Sequence, residues 1–200
     1  MNLIASALTT IQQSLDQYLR NLSDSPDPAV VLEAPFNPDG SVNDGARDKV
    51  AMVVYGIRKE TSISTRSPGV TPSGAMASAS TPAPLYIDIE LAFVANFSGK
   101  KYVNGLEAID RVIGYFQQNP VFSRSSAPQL DARLGKLTFD FLNLELADLN
   151  YVMSNMGIKY VPSAFYQLRM IPFDSGTIQS RTYLATEPKI VHPGSDRAAL

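Results

Sequence analysis

Residues 85–122, LYIDIELAFVANFSGKKYVNGLEAIDRVIGYFQQNPVF, constrain the fold more than any other stretch of the chain. Leu85, Ile87, Ile89, Leu91, Phe93, Ala95 and Phe97 alternate with Tyr86, Asp88, Glu90 and Asn96, the two-residue period of a half-buried strand. Such a run spans roughly 40 Å at about 3.3 Å per residue, long for a strand of a globular protein. Gly99 breaks it. From Lys101 the period changes: Val103, Leu106, Ile109, Ile113 and Phe116 recur at three- and four-residue steps, which is one helical face. Asn119-Pro120 should stop that helix, because a residue before proline is pushed out of the helical region.

The flanking segments supply the remaining elements. Leu3, Ile4, Leu8, Ile11, Leu15, Tyr18 and Leu22 form a stripe over residues 2–22, predicting a helix laid on a sheet. Residues 23–48 are rich in turn formers around a short strand at Val30–Glu33, with PFNPDG as a strong turn signal. Residues 49–60 read as a buried strand that turns polar at Arg58. Residues 61–84, rich in Ser, Thr, Pro and Ala, are expected to be a flexible loop, since this composition builds no core. Leu137, Phe139 and Phe141 alternate with Lys136, Thr138 and Asp140 in a further strand. Asn143 is placed to cap a second core helix with Leu149, Val152, Met153 and Met156 as its apolar face, ended by Gly157. Residues 163–173 are a last strand, and residues 175–200 an extended tail. The expected architecture is α/β (α+β): one domain over residues 1–174, with a mixed, largely antiparallel sheet flanked by helices.

Composition narrows the function. A 200-residue chain with net charge −2 gives no electrostatic footprint for nucleic acid or for an anionic membrane. The absence of cysteine excludes disulfides, thiolate catalysis and cysteine metal sites. No run approaches the roughly 20 apolar residues that cross a bilayer, and the first residues lack the pattern of a cleaved signal, so cytoplasmic assembly without membrane insertion is expected.

Catalytic signatures are not found. His192 stands alone in the polar tail, a poor scaffold for a triad or a zinc site. Asp88 and Glu90 share a strand face and would make a carboxylate pair for acid–base work; the simpler reading is a solvated or subunit-facing surface. Glu107 and Arg111 are an i,i+4 surface pair, and Arg58, Lys59 and Arg66 a small basic cluster without interleaved aromatics. No GxxxxGK[ST], GxGxxG or GxSxG occurs. No enzyme, cofactor or metal is expected.

The order and spacing of VVYGIRKETSISTRS, APLYIDIELAFVANF, YVNGLEAIDRVIGYFQQNPVF and LTFDFLNLELADLNYVMSNMGIKYVPSAFYQLRMI resemble the tail-terminator or cap proteins of phage-tail-like contractile injection systems. That resemblance implies a structural protein forming a homohexameric ring on the distal end of the inner tube and contractile sheath. It implies inner-tube and sheath proteins as partners, and a particle that is either released or membrane-anchored. The alternative within the same resemblance is a tail-completion or baseplate-adaptor protein. For the ring-forming terminator, one face of the sheet would bury the helices while Tyr86, Asp88, Glu90 and Arg169 meet a neighbouring subunit. Tyr183, Leu184, Ile190 and Val191 of the tail would add a strand to a sheath subunit, with simple disorder as the other reading of the tail.

Overall fold

Strand β4 (Leu85–Asn96) is an inner strand of the main sheet, and Ile87 through Ala95 are buried without interruption. The computed structural model describes residues 2–61, 77–80, 85–97, 99–158, 160–173 and 180–183. Around β4 lie α1 (Leu3–Ser23), β1 (Val30–Val31), β2 (Lys49–Lys59), α2 (Tyr102–Gln118), β5 (Val121–Ser123), β6 (Lys136–Phe141), α3 (Leu146–Asn155) and β7 (Ser163–Phe173). Two further strands are Ala77–Ser80 (β3) and Ser180–Tyr183 (β8). Contacts divide the chain into two units, residues 1–64 with 84–173 and residues 65–83 with 174–200.

In the larger unit six strands form one sheet in the order β1-β2-β4-β7-β6-β5. Only the β1–β2 pairing is parallel, so the sheet is mixed and largely antiparallel, the α+β arrangement expected. The odd residues of β4, from Ile87 to Ala95, face a core shared with α1 and α2. The even residues Ala92 and Val94 face a second, smaller core built with Met153 of α3, Ile158 and Phe165. The sheet is therefore the middle layer, with α1 and α2 on one side and α3 on the other.

In the smaller unit β3 and β8 pair antiparallel, with Ala77 opposite Tyr183 and Ser80 opposite Ser180. Each lies in a segment expected to be irregular. Between Gly74 and Pro82 the chain has neither glycine nor proline, so every residue of β3 keeps a ladder donor. In β8, Thr182 and Tyr183 are strand formers.

Helix α2 departs from the expected face. Its buried residues are Gly105, Ile109, Val112, Tyr115 and Phe116, whereas Val103 is 64%, Leu106 46% and Ile113 39% exposed. Gly105 faces the sheet there, where a Cβ would lie at ordinary contact distance, 3.4 Å, from Ala95 and from Phe97. The buried face is thus centred between Gly105, Ile109, Val112 and Phe116, and Val103, Leu106 and Ile113 fall outside it. Counting hydrophobic side chains cannot see a contact made by a residue without one.

The other helices follow the pattern. Leu3, Leu8, Ile11, Leu15 and Leu19 of α1 are buried, while Leu22 is exposed. Asp16, also buried, accepts the N–H groups of Ala29 and Val30 at 2.7 and 2.9 Å, and Gln12 donates to the Val30 carbonyl at 2.7 Å. These bonds satisfy the two-residue strand β1 where it meets the helix. Helix α3 begins at Leu146 after Glu145 rather than being capped by Asn143. Its end is as expected: Gly157 takes φ +67°, with Gly157 N–H on the Ser154 carbonyl and Ile158 N–H on Met153. That pair of bonds is the Schellman arrangement.

Phe116 stacks on Phe139 at 4.4 Å and lies 4.8 Å from Tyr166 and 5.1 Å from Phe93, ring centre to ring centre. Replacing Phe116 by Ala is expected to cost about 3–5 kcal/mol. Val103→Ser, on the exposed flank of the same helix, should cost under ~0.5 kcal/mol. Urea unfolding of the two variants measures both, and equal losses would mean α2 buries the flank read from the sequence.

Candidate functional site

Beyond Ala92 the even face of β4 turns from apolar to charged. Asp88 is 4% and Glu90 9% exposed, both on the central strand of the sheet. Neither is solvated, which corrects the expectation of an open polar strand face.

Their partners come from the strands on either side. Arg58 Nε of β2 donates to Glu90 Oε1 at 2.9 Å. Gln167 Nε2 of β7 donates to Asp88 Oδ2 at 2.8 Å. Arg169, also of β7, donates through Nε at 2.9 Å and Nη2 at 2.5 Å to Glu60 Oε2. It also lies 3.9 Å from Asp88 and 3.5 Å from Asp140 on β6. Glu60 is itself buried, and its carboxylate raises the already high pKa of Arg169 further.

Two irregularities in the ladders build this cluster. Val54 and Gly56 of β2 face Leu91 and Glu90, leaving Tyr55 as an extra residue. On the other side Ile87 and Ile89 face Ile171 and Leu168, leaving Arg169 and Met170 opposite Asp88. A bulge bends its strand and re-aims side chains. Gly56 completes the fit, because a Cβ at this position would collide with the Glu90 carboxylate.

Tyr55 lies beside the cluster, its ring edge-on to Phe165 at 5.8 Å. Its buried hydroxyl has no hydrogen-bond partner among the described residues. Burial, with the Glu90 carboxylate adding and Arg58 opposing, pushes its pKa up to about 12.

The arrangement is one of mutual ion pairing, with Arg58 on Glu90 and Arg169 among Glu60, Asp88 and Asp140. Asp88 and Glu90 are held by different guanidinium and amide groups, not aimed at a common point as an acid–base pair would be. Among the described residues, no group of three or more His, Asp or Glu side chains is placed to hold a metal ion. Of the residues expected at a subunit contact, Asp88, Glu90 and Arg169 are brought together and Tyr86 lies nearby on β4, half-buried. Glu60, Asp140 and Gln167 complete the cluster and were not singled out from sequence. Their signal was faint: Glu60 directly follows β2, Gln167 lies within β7, and Asp140 is on β6, one strand further out. Tyr183 ends β8, whereas Leu184, Ile190, Val191, His192 and Arg66 lie outside the described residues.

The unit also shows apolar side chains on both outer layers. Tyr102, Val103, Leu106 and Ile113 are exposed along one flank of α2, beside a groove of about 330 Å³ that reaches Phe141 on β6. On the α3 side, Leu146 is 73%, Tyr151 71% and Tyr160 70% exposed.

Comparison with known proteins identifies the fold. The structure resembles the sheath/tube terminator of an extracellular contractile injection system, PVC, in its extended state, with a TM-score of 0.60 and 13% identity. That match covers 98% of this chain and 64% of the other, so the chain spans under two thirds of its structural neighbour. A second similar structure is the tube-terminating cap of the anti-feeding prophage, with a TM-score of 0.47, 12% identity, and coverage of 95% and 60%. Among curated proteins none matches. The family model of the Pvc16 N-terminal domain matches residues 6–187, and the chain belongs to that family.

The cluster generates two expectations. Arg169→Ala leaves the buried carboxylates of Glu60 and Asp88 without their guanidinium, and should lower stability by about 3–5 kcal/mol in urea titrations. A loss below ~1 kcal/mol would mean that the cluster is solvated after all. Tyr55 is raised from an ordinary pKa near 10.0 to about 12 in the folded chain, so its contribution is full below pH 10 and is lost as pH rises through 12. Tyr55→Phe, which removes a hydroxyl lacking a partner, should leave Tm at pH 7 unchanged or higher and flatten its fall above pH 10. Tm measured from pH 7 to 11 tests it.

Proposed function

We propose that this protein is a structural terminator of a contractile, phage-tail-like injection particle. Copies form a six-fold ring on the distal end of the inner tube and sheath, stop further addition of subunits and anchor the last sheath layer. The observation that carries the reading is the match of residues 6–187 to the Pvc16 N-terminal domain. A fold shared with a sheath/tube terminator supports it.

The proposed role requires surfaces, not chemistry. A growing tube or sheath ends each layer with an unfilled copy of its own interface, and a ring that occupies that interface without reproducing it ends growth. The ring contact is heterologous: one patch of a subunit meets a different patch of the next, and the rotation closes. In this reading Arg169 and Tyr86, at the margin of the charged cluster, lie near the subunit contact, while Asp88 and Glu90 brace the strand that carries it. Tyr183, Leu184, Ile190 and Val191 meet the sheath. Strand β8 has one edge paired with β3, and its other edge is the one strand addition would use.

Electron microscopy of particles from a producing strain lacking this gene tests the reading. The expected result is tubes and sheaths of scattered length, or sheaths that fail to stay on their tubes. Particles of normal length lacking the opposite end would move the protein to the baseplate, and unaltered particles would remove the structural role.

A further inference from the structure

The proposal of a ring leaves open which surfaces join its subunits, and the outer layers carry an answer. The flank of α2 away from α1 offers Tyr102, Val103, Leu106 and Ile113 to solvent. Beside it a groove reaches Pro120 and the half-exposed Phe141, over the buried rings of Phe116, Phe139 and Tyr166; none of the side chains lining it is charged. Two helices cover one face of a six-stranded sheet, and the slot beside α2 is where a third would lie. On the opposite face, α3 and the segment after it raise Leu146, Tyr151 and Tyr160, each at least 70% exposed. One side has a recess and the other has projections.

Charge matches these two sides to each other and not to themselves. Residues 140–158 contain Asp140, Glu145 and Asp148 and no base before Lys159. Two α3 layers brought face to face would oppose like charges at close range. The exposed flank of α2 begins after Lys100 and Lys101, of which Lys101 is paired with Asp48 at 2.7 Å; no acidic residue stands in its first turn, and no side chain caps its amino end. Asp110, one turn beyond Leu106, is the acid nearest the stripe. The basic, uncapped start of α2 fits the acidic start of α3.

We propose that the partner of these surfaces is a second copy of the chain: the α3 layer of one subunit, through Leu146 and Tyr151, seats against the α2 flank of the next at Leu106 and Ile113. Glu145 and Asp148 then lie toward Lys100 and Lys101. Because the two patches sit on opposite outer layers of one unit, the contact is heterologous, and every subunit keeps one recess and one set of projections for its neighbours. This inference rests on the ring reading and names its contact.

Two exposed substitutions test it by sedimentation velocity, with thermal melts confirming that each variant folds. The wild-type chain is expected to assemble into a closed oligomer. Leu106→Ser and Tyr151→Ser should each weaken assembly at least tenfold. An equimolar mixture of the two should give a one-to-one dimer and nothing larger, because only one of its contacts has both good faces. Lys100→Glu should weaken assembly, and Asp148→Lys in the same chain should restore it. The chain has no cysteine, so Leu106→Cys and Tyr151→Cys together should cross-link subunits into a ladder that neither gives alone. Cross-linking by Leu106→Cys alone would show a like-with-like contact and overturn the proposal. So would wild-type assembly by both serine variants, or a wild-type chain monomeric up to about 1 mM. If either serine variant assembled normally and still set particle length, the α2–α3 contact would fall and the terminator reading would stand. Loss of both assembly and length control in the wild type would remove both.

Discussion

Burial of two carboxylates on the central strand is the constraint around which the sheet is built. An ion stripped of water costs several kcal/mol unless its partners are close and well aligned. Asp88 and Glu90 have strands on both sides, so those partners have to come from β2 and β7. Regular ladders would not deliver them. The extra residue at Tyr55 brings Arg58 onto Glu90, and the bulge at Arg169–Met170 carries Arg169 between Glu60, Asp88 and Asp140. The same cluster fixes register. Sliding β4 by one residue would turn Asp88 and Glu90 into the aromatic core of Phe93, Phe116 and Tyr166, where no cation waits. An apolar face of equal volume would be as stable or more so, so the cluster is better understood as specifying one alignment than as adding stability.

Much of the larger unit was legible because its signals are periodic. The alternation through 85–97 gave β4 and its inward face, the stop at Asn119-Pro120 gave the end of α2, and Gly157 gave the end of α3. Four features were illegible, each for a physical reason. The buried face of α2 includes Gly105, whose contribution is the absence of a side chain. A strand was legible at Val30–Glu33, where β1 covers Val30–Val31, but the Asp16 and Gln12 side chains of α1 that hold it leave no local pattern. The cover over Asp88 and Glu90 comes from residues far apart in sequence, so local polarity read as exposure. The pairing of β3 with β8 likewise joins two segments about a hundred residues apart, each too weak to predict alone.

The charged cluster is the most elaborate feature of the unit, yet its groups are directed at one another. Of the apolar side chains that a sequence reading assigns to the core face of α2, Ile109 and Phe116 are buried and Val103, Leu106 and Ile113 are left outside. Low charge density, 18% of residues, agrees with a chain whose surface is made to be covered. The amphipathic helix thus has two apolar sides, one covered on folding and one left exposed.

Exposed apolar surfaces on opposite layers carry a hazard as well as a use. A head-to-tail contact that fails to close makes an open filament, and closure depends on the angle between the two patches. In this unit that angle is set by how α2 and α3 lie on the two faces of one sheet, and so by the twist of β4 and its neighbours. Bulges increase twist locally, and both bulges fall beside the charged cluster. The interactions that fix the register of β4 therefore also fix the geometry with which one subunit presents itself to the next. A close-packed interior transmits such a constraint rather than absorbing it. In the proposed ring the buried ion pairs and the exposed hydrophobic flanks, unlike in chemistry, serve the same end: one subunit shape with one closing rotation.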